Sequence, residues 1–518
     1  MKRSLIRMLG IFLMVTMLFS TAASAEMTYP IETDNSKLTF WLPIQPIASK
    51  YMASYNDHMI YGAISEKTGM DVEFINCAPA DGATQLGLII ASGDMPDLLQ
   101  IRDLYPGGAA AGVSEGIFVD LTPYLEKYAP DYYAAIRSTD LSYRLATSAD
   151  GKVYSFETLK QTAPAFNRMM YRKDIMDALA LDIPVTLADC EEDFAAMKEA
   201  GIYGVLLANT GRTEMLMWPF GITSDWCLNE EGKVQFGQYT ENYREYLTLM
   251  SDWYKKGYIY KDFMANLSDN EIHALWVDKT VGMFPSSVDI ANSLAVANNF
   301  EAMPLPYVRK EAGQKIHFES TYKEHVPEAA FGTTVITTDC DNIEAAVQYM
   351  NYYYTKEGAD LCNWGIKDLH YTEDAGGSKT FTDEMLNNPD MPLADVQMNF
   401  KLHRTAKWSE PDVVCNPNVV ANQDALSKRM MYADDEAVDN AQTLPPFPLS
   451  AEGSESRTGI MNDISTYINE MTLKFITGIT PLSEYDNYMA QLKAMGIEQA
   501  IAITQAEYDA FMSKPGLN

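Results

Sequence analysis

The stretch KLTFWLPIQPIASKYMASYNDHMIYGAISEKTGMDVEFI, residues 37–75, decides the fold. Residues 37–41 alternate polar and apolar side chains, which predicts a β-strand. Residues 51–67 then place apolar side chains at helical spacing, and Gly69 ends the predicted helix. Residues 71–75 return to a strand pattern. The order strand, helix, strand predicts the start of a parallel sheet that is covered by helices.

The alternation of strands and helices continues beyond this stretch. A short apolar helix is predicted at 85–91, and the strand predicted at 98–101 after it extends the same sheet. Thr186 begins a further helix, with Asp189 three residues later as a variant of the capping box. The remaining predicted strands lie at 152–156, 169–171, 280–284 and 333–337, and the remaining helices at 241–256, 344–355, 464–475 and 485–495. The polar segment 371–399 is interpreted as a surface excursion rather than a domain core. The pattern predicts an α/β fold with extra C-terminal helices.

The first 25 residues form a separate pattern that is typical of a secretory signal peptide. Three basic residues precede an apolar run at 8–19, and Ala-Ser-Ala at 23–25 matches the small-residue cleavage motif. The run is too short for a stable membrane span. We therefore expect an exported protein that begins at Glu26 and works in the periplasm or at the outer face of the cell membrane. The first cysteine is Cys77, so the cleavage site has no cysteine that could carry a lipid.

Composition restricts the partners. The formal net charge of the 518-residue chain is −32, and 47% of its residues are hydrophobic. A length of this order favours two or three domains over one. So negative a surface repels phosphate backbones, which argues against a nucleic-acid partner, and colloidal solubility accounts for the charge without a specific cationic ligand.

Cysteine, histidine and serine patterns indicate no catalytic or metal site. The six cysteines lack C-x-x-C spacing, and they are compatible with disulfides, which could pair in 15 ways, or with buried free thiols. The six histidines form no metal-ligand cluster, so we expect no metal and no cofactor. Residues 112–116 match the G-x-S-x-G pattern of serine hydrolases, but a strand-like segment follows Ser114 instead of preceding it, which argues against catalysis.

Five stretches resemble segments of the bacterial extracellular solute-binding proteins of family 1, in particular their long carbohydrate-type subgroup. They are LIIASGDMPDLL (88–99), GIFVDLTPYLEKYAP (116–130), DGKVYSF (150–156), YRKDIMDALALDIPVT (171–186), and TYINEMTLKFITG followed by YDNYMAQLKAMGI (466–478 and 485–497). Their order and spacing cover nearly the whole chain after the signal peptide. The resemblance implies a periplasmic-binding-protein-like fold, in which two α/β lobes joined by crossing strands close over a ligand.

The resemblance also implies a domain organisation. It places the crossings near residues 152–156, 281–285 and 330–334. Lobe one would comprise residues 26–154 and about 285–330, and lobe two about 155–284 and 331–518. Relatives often carry a calcium-binding loop after the first helix of lobe two. Residues 198–210 lack the alternating oxygen ligands of such a loop, so no calcium is expected there.

The function that the resemblance implies is that of the substrate-binding component of an ABC importer, not an enzyme. The protein would capture an oligosaccharide or a related polar solute by closure of two lobes and present it to the membrane permease subunits. It is expected to work as a monomer without a cofactor. Three alternatives stay open: a peptide or other nutrient as ligand of the same fold, a secreted carbohydrate-active hydrolase, and a purely adhesive surface protein.

Candidate ligand-binding residues follow from the chemistry of sugar recognition. Flat aromatic rings pack against C–H faces, and carboxylates, amides or arginines bind the hydroxyl groups. We looked for such side chains after predicted strand ends and crossings, where open α/β sheets bind ligands. The candidates are Trp41, Tyr105, Phe156, Glu157, Arg168, Arg212, Trp218, Ser286, Asp289 and Trp364. Each aromatic residue could instead pack in a core, and the two arginines could instead form structural ion pairs.

Overall fold

The computed structural model describes residues 27–517 apart from 103, 149, 162–166, 208–212, 266, 320–323, 329–331 and 433–434. Its strands are β1 (Lys37–Pro43), β2 (Asp71–Cys77), β3 (Leu98–Gln100), β4 (Phe156–Glu157), β5 (Leu159–Lys160), β6 (Asn167–Arg172), β7 (Tyr203–Val205), β8 (Trp226–Leu228), β9 (Val234–Phe236), β10 (Val281–Ser287), β11 (Ala302–Pro304), β12 (Val326–Pro327), β13 (Thr333–Ile336), β14 (Tyr371–Glu373), β15 (Lys379–Phe381) and β16 (Trp408–Ser409).

Helices cover both sheets described below. They are α1 (Met59–Thr68), α2 (Gly82–Ser92), α3 (Gly108–Ser114), α4 (Thr122–Tyr128), α5 (Pro130–Ile136), α6 (Asp140–Ala146), α7 (Lys173–Leu179), α8 (Leu187–Glu199), α9 (Glu241–Lys256), α10 (Asp269–Val277), α11 (Val288–Ala297), α12 (Ile343–Tyr352), α13 (Lys356–Trp364), α14 (Asp383–Leu386), α15 (Leu393–Phe400), α16 (Asp412–Cys415), α17 (Pro417–Ala421), α18 (Gln423–Met430), α19 (Ala451–Thr477), α20 (Tyr485–Ala494) and α21 (Ile497–Ser513).

The first sheet has the strand order β2-β1-β3-β13-β4. β1 runs parallel to β2 and β3, as the opening stretch of the sequence predicts, and β13 runs antiparallel to β3 and β4. Helix α1 connects β1 to β2. It begins after His58, whose Nδ1 accepts a hydrogen bond from the Ile60 amide, and it ends at Gly69, whose φ of 71° is a left-handed conformation that favours glycine. This sheet and its helices form the first lobe.

The second sheet has the strand order β11-β6-β10-β7. β10 runs parallel to β7 and antiparallel to β6, and β11 runs antiparallel to β6. Its core includes side chains of α8, α9 and the C-terminal helices, among them Phe194, Trp253 and Tyr488. Helix α19 packs against α9 and α21. These elements form the second lobe, so the chain has a two-lobed α/β fold with extra C-terminal helices.

A small third sheet lies where the chain passes between the lobes, and we call it the crossing sheet. Its order is β12-β5-β16. β5 lies between β4 of the first sheet and β6 of the second, β12 lies between β11 of the second sheet and β13 of the first, and β16 is the last strand before the chain returns to the second lobe. That return is marked by bridges from Val438 to Ile316 and from Thr443 to Cys227.

The sheets assign two segments to the opposite lobe from the sequence prediction. Residues 285–330 were expected in lobe one, but β11 pairs with β6 in the second sheet. Residues from 331 onward were expected in lobe two, but β13 pairs with β3 and α12 packs in the first core. The expected crossing at 281–285 is also wrong, because β10 lies between β6 and β7 inside the second sheet. The first crossing runs from Glu157 to Asn167, later than the predicted 152–156.

Three further features differ from the sequence prediction or complete it. The segment 371–399 contributes to a small core of its own, in which Tyr371, Phe381 and Met385 pack with Trp364. A third C-terminal helix, α21, follows the two predicted ones. All six cysteines are free thiols. Among the described residues, no helix has both the length and the apolar character that crossing a bilayer requires.

The predicted capping box at the start of α8 is confirmed, and it gives a stability prediction. The Thr186 hydroxyl accepts a hydrogen bond from the Asp189 amide at 3.2 Å, and the Asp189 carboxylate accepts one from the Thr186 amide at 2.8 Å. Thr186→Ala is expected to lower the free energy of unfolding by about 1 kcal/mol in urea denaturation, because the cap of the helix is lost. Thr466→Ala on the exposed side of α19 is the matched control, and an equal loss in both variants would contradict the cap.

Candidate functional site

The carboxyl edge of the second sheet collects polar side chains. β7 and β10 end at this edge because they are parallel, and β6 begins there because it is antiparallel to β10. In the register of these strands Arg168 lies opposite Ser286, and Asn167 lies opposite Ser287. Open α/β sheets bind ligands at such an edge. The structure therefore places two of the predicted residues, Arg168 and Ser286, side by side at an edge of this kind.

Arg168 is buried, and two nitrogens of its guanidinium have no acceptor among the described residues. The side chain is 2% exposed, and its Cζ lies 3.7 Å from the ring centroid of Tyr307 and 5.9 Å from that of Tyr432. Within the described part of the chain, neither Nη1 nor Nη2 has a hydrogen-bond partner. Burial lowers the pKa of the guanidinium, while Tyr307 and Glu319 nearby act in the opposite direction. Buried donors without acceptors cost free energy, so this geometry favours a ligand that supplies oxygen atoms.

Aromatic rings adjoin this guanidinium. The rings of Trp218 and Tyr307 lie 5.5 Å apart, centroid to centroid, and the Tyr307 hydroxyl donates a hydrogen bond to the buried Glu319 carboxylate at 3.4 Å. Among the described residues, the Trp218 Nε1 and the Ser286 hydroxyl have no partner. We call the five residues Arg168, Trp218, Ser286, Tyr307 and Glu319 the Arg168 cluster. It combines aromatic faces with hydrogen-bonding groups, the combination that sugar recognition requires.

Asp289 lies near the same edge but has a structural partner. It stands in the first turn of α11, directly after β10, and its carboxylate lies 3.3 Å from the Arg429 guanidinium of α18. α18 packs against α11. The ion pair between them therefore joins a helix of the second lobe to the segment that returns from the crossing sheet, and a direct contact of Asp289 with ligand stays a prediction.

The carboxyl edge of the first sheet carries a buried carboxyl group. Glu157, the last residue of β4, accepts hydrogen bonds from the Ser155 hydroxyl at 2.6 Å and the Thr333 hydroxyl at 2.8 Å. Burial raises the pKa of Glu157 to about 7, although both hydrogen bonds lower it. Phe156, next to it, is fully buried and packs against Tyr132 with the ring centroids 4.7 Å apart. Both were predicted to touch ligand, but their side chains belong to the lobe's interior.

A cavity of about 140 Å³ adjoins this edge and the crossing sheet. Thr158 and Lys160 line it from the first crossing, and most of the rest is lined by residues 401–405, 407, 409–410 and 415–416. The Thr158 hydroxyl donates to the Thr405 carbonyl oxygen at 2.9 Å, and the Gln100 amide at the end of β3 donates to the Arg404 carbonyl oxygen. We call this space the crossing cavity. It has room for several water molecules or for a polar group of a ligand.

Basic side chains outnumber acidic ones in the lining of the crossing cavity. They are Lys160, Lys401, His403, Arg404 and Lys407, and the acidic residue beside them is Glu410. The sequence analysis missed this group, although the segment KLHRTAK at 401–407 stands out in a chain of net charge −32. The sequence analysis searched for strand ends and aromatic residues, and such a search does not detect four basic residues among seven.

Two predicted tryptophans lie in cores and offer no ring face to a ligand. Trp41 is 1% exposed and packs against Leu86, Leu99 and Phe118. Trp364 ends α13, packs against Phe381 at 4.7 Å between ring centroids, and donates its Nε1 hydrogen bond to Glu410. β1 continues to Pro43, so Trp41 lies inside the sheet and not at its end. A contact of either ring with a sugar stays a prediction that their burial does not support.

The remaining predictions have separate outcomes. Tyr105 packs against Phe118 at 5.1 Å between ring centroids, and its hydroxyl donates to Glu115. Arg212 lies outside the described residues, as do residues 208–210 of the segment that was compared with a calcium loop. In the described part of the chain, no three His, Cys, Asp or Glu side chains are grouped as metal ligands. Ser114 ends a helix and donates to the Ala111 carbonyl oxygen, unlike a nucleophile that follows a strand.

The chain is similar to a family of known proteins. The model of the bacterial extracellular solute-binding protein family matches residues 49–360. The fructooligosaccharide ABC transporter substrate-binding protein FusA of Streptococcus pneumoniae is 22% identical over 527 residues, which covers 95% of each chain. The polygalacturonan/rhamnogalacturonan-binding protein YtcQ of Bacillus subtilis is 21% identical over 84% of each chain.

A solved structure shows the same fold. An HMO-binding, ABC-transporter-associated solute-binding protein from Bifidobacterium longum infantis has a TM-score of 0.72 to this chain at 17% identity, over 92% of this chain and 99% of that one. The likeness confirms the predicted fold class, two α/β lobes with crossing strands between them.

Proposed function

Because the chain belongs to the bacterial extracellular solute-binding protein family, we propose that it is the substrate-binding component of an ABC importer and that its ligand is an oligosaccharide. The names of two relatives support this proposal, since one binds fructooligosaccharides and the other polygalacturonan or rhamnogalacturonan. Both match the chain over more than four fifths of their length.

The observation that carries the proposal is the unpartnered guanidinium of Arg168. A charged group that is 2% exposed and lacks acceptors among the described residues is costly unless a ligand completes it. Sugar hydroxyl and ring oxygens are acceptors of this kind. The rings of Trp218 and Tyr307 beside it supply apolar faces for the C–H side of a pyranose or furanose.

Capture requires no covalent step. The crossing sheet connects the lobes through short strands, so a few backbone dihedrals there can absorb a rigid-body movement of one lobe against the other. A ligand that contacts both carboxyl edges binds the closed form more tightly than the open form. It shifts the population toward closure by that difference in affinity. The closed complex is then the form that membrane permease subunits would recognise.

The other parts of the proposal follow from the family and the sequence. The protein works outside the cytoplasm after removal of residues 1–25, as a monomer, and delivers its ligand without hydrolysing it. It needs no ATP, metal or cofactor of its own. The membrane permease is its partner.

A thermal-shift screen tests the proposed ligand class. Purified protein is mixed with kestose, cellotetraose, tetragalacturonate and a set of tetrapeptides, each over a range of concentrations. A true oligosaccharide ligand is expected to add about 2.7 kcal/mol to the free energy of unfolding at a hundredfold excess over the dissociation constant, which appears as a raised melting temperature. Reducing-end release is measured on the same samples.

Each outcome separates two functions. A saturable shift with an oligosaccharide and no new reducing ends supports a binding protein. New reducing ends would identify a hydrolase. A raised melting temperature with peptides alone would indicate a peptide-binding protein of the same fold. An unchanged melting temperature with every small ligand would favour an adhesive role.

A further inference from the structure

The crossing cavity has a charge that is opposite to that of the protein as a whole. The chain carries a net charge of −32, whereas Lys160, Lys401, Arg404 and Lys407 line one cavity of about 140 Å³ together with a single glutamate, Glu410. Grouped cations repel each other, and in an acidic protein such a group is unusual unless an anion occupies the space between them.

Arg404 is the cation with most freedom to bind an anion. Its backbone φ of 57° is a left-handed conformation that non-glycine residues rarely adopt, and its carbonyl oxygen accepts the hydrogen bond from the Gln100 amide. These features fix the backbone of Arg404 at the edge of the first sheet. Within the described residues, its guanidinium has neither an ion pair nor a hydrogen bond. A guanidinium offers two parallel N–H groups to a carboxylate.

Lys401 adds a second charge that is not neutralised by a carboxylate. The residue is 8% exposed, and its Nζ donates to the Cys415 carbonyl oxygen and lies 3.6 Å from the Cys415 sulfur. Among the described residues, no carboxylate lies within 4.0 Å of this ammonium group. An ammonium group has three N–H donors, so the Lys401 Nζ has further donors beside the one that the Cys415 carbonyl oxygen accepts.

The crossing cavity and the Arg168 cluster are connected by a short segment of the chain. Thr158 lines the cavity, and Arg168 stands ten residues later at the carboxyl edge of the second sheet. Ten extended residues span at most ~35 Å. The two places therefore lie within ~35 Å of each other.

We propose that the ligand is an acidic oligosaccharide and that Arg404, with Lys401 and Lys160, binds the carboxylate of a uronate unit in the crossing cavity. This proposal rests on the proposed function and names its substrate class. It adds a first-lobe subsite to the Arg168 cluster of the second lobe, so that closure brings the anionic unit and the cations together.

Matched acidic and neutral probes test the proposal by isothermal titration calorimetry. The acidic probes are tetragalacturonate, tetramannuronate and a sulfated carrageenan tetrasaccharide, which carries sulfate groups and no carboxylate. The neutral partners are the methyl esters of the first two, with kestose and cellotetraose as further neutral sugars. At least one uronate is expected to bind at least tenfold more tightly than its own methyl ester, and its affinity is expected to fall with added salt, because the contact is ionic.

Variants locate the effect in the cavity. Arg404→Gln is expected to weaken binding of the uronate about tenfold and to leave binding of the methyl ester unchanged. Lys160→Gln, on β5, is expected to give the same selective loss and replaces Arg404→Gln if that variant does not fold. Lys261→Gln, an exposed lysine of the second lobe, is the matched control and is expected to change neither affinity.

The outcomes distinguish this inference from the proposed function. Tight binding of a neutral sugar with no preference for any acid would overturn the acidic ligand and leave oligosaccharide capture intact. A preference for the sulfated probe over every uronate would overturn the carboxylate. Failure of every sugar, acidic or neutral, would count against the proposed function itself and this inference with it.

Discussion

Replacing Arg168 by methionine is expected to raise the stability of the ligand-free protein and to weaken its binding of the ligand strongly. The guanidinium is buried, and its Nη atoms have no acceptor among the described residues. Methionine fills a similar volume against the Tyr307 ring without charge or unsatisfied donors. We expect the free energy of unfolding to rise by about 1–3 kcal/mol. The affinity for the best oligosaccharide of the screen is expected to fall about a hundredfold, which corresponds to about 2.7 kcal/mol.

Arg172 provides a matched control on the same strand. It is 3% exposed, and its guanidinium lies 3.7 Å from the Phe300 ring centroid, as that of Arg168 does from Tyr307. Each of its three guanidinium nitrogens, however, has an acceptor: the Asp174 carboxylate or the carbonyl oxygens of Trp276 and Val277. Arg172→Met is therefore expected to lower the free energy of unfolding by about 3 kcal/mol. Equal destabilisation in both variants, measured in urea, would show that Arg168 supports the fold and is not held for a ligand.

The contrast between these two arginines shows what local sequence can and cannot predict. Both lie in β6, of which the sequence predicts only residues 169–171, and Arg168 was a candidate because arginines can bind sugar hydroxyl groups. Whether a guanidinium has an acceptor depends on residues a hundred positions away. Tyr307 and Glu319 of the Arg168 cluster were missed for a related reason: they lie in a connection without regular periodicity between β11 and β12.

Errors in the predicted site come mainly from strand ends. Trp41 was assigned to the end of a strand that continues to Pro43, so the ring enters the core of the first lobe. Phe156 was assigned to the end of a strand that begins there, because residues 152–155 are not part of the sheet. A shift of two residues in a strand end moves an aromatic ring from a binding edge to a packed interior.

Lobe assignment failed because strand pairing is non-local. β13 has a β-branched pattern that predicts a strand correctly, but nothing in that pattern indicates that its partner is β3, more than 230 residues earlier. The same holds for β11, whose partner β6 lies in the second sheet. The order of elements predicted the fold class, and the resemblance to a family predicted two lobes, yet the pairing partners of individual strands required the structure.

Glu157 is expected to make the stability of the protein depend on pH between about 4.5 and 7. Burial raises the pKa of this carboxyl group from 4.5 to about 7 in the folded protein. The folded chain therefore binds more protons than the unfolded chain within this window. The stabilisation is fully present below pH 4.5 and is lost as the pH rises through 7, where the buried group ionises. Glu157→Gln keeps the shape and removes the ionisation.

Urea denaturation at pH 5 and pH 8 measures this effect. Relative to the wild type, Glu157→Gln is expected to gain roughly 2–3 kcal/mol in the free energy of unfolding between pH 5 and pH 8. Burial and neighbouring carboxylates also raise the pKa of Asp193. Because Asp193 is present in both proteins, the difference between the variant and the wild type reports Glu157 alone. Glu230→Gln, at an exposed position, is the control and should show no such gain. A pH dependence that is identical in wild type and Glu157→Gln would mean that the group between Ser155 and Thr333 stays ionised, with its two hydrogen bonds offsetting burial.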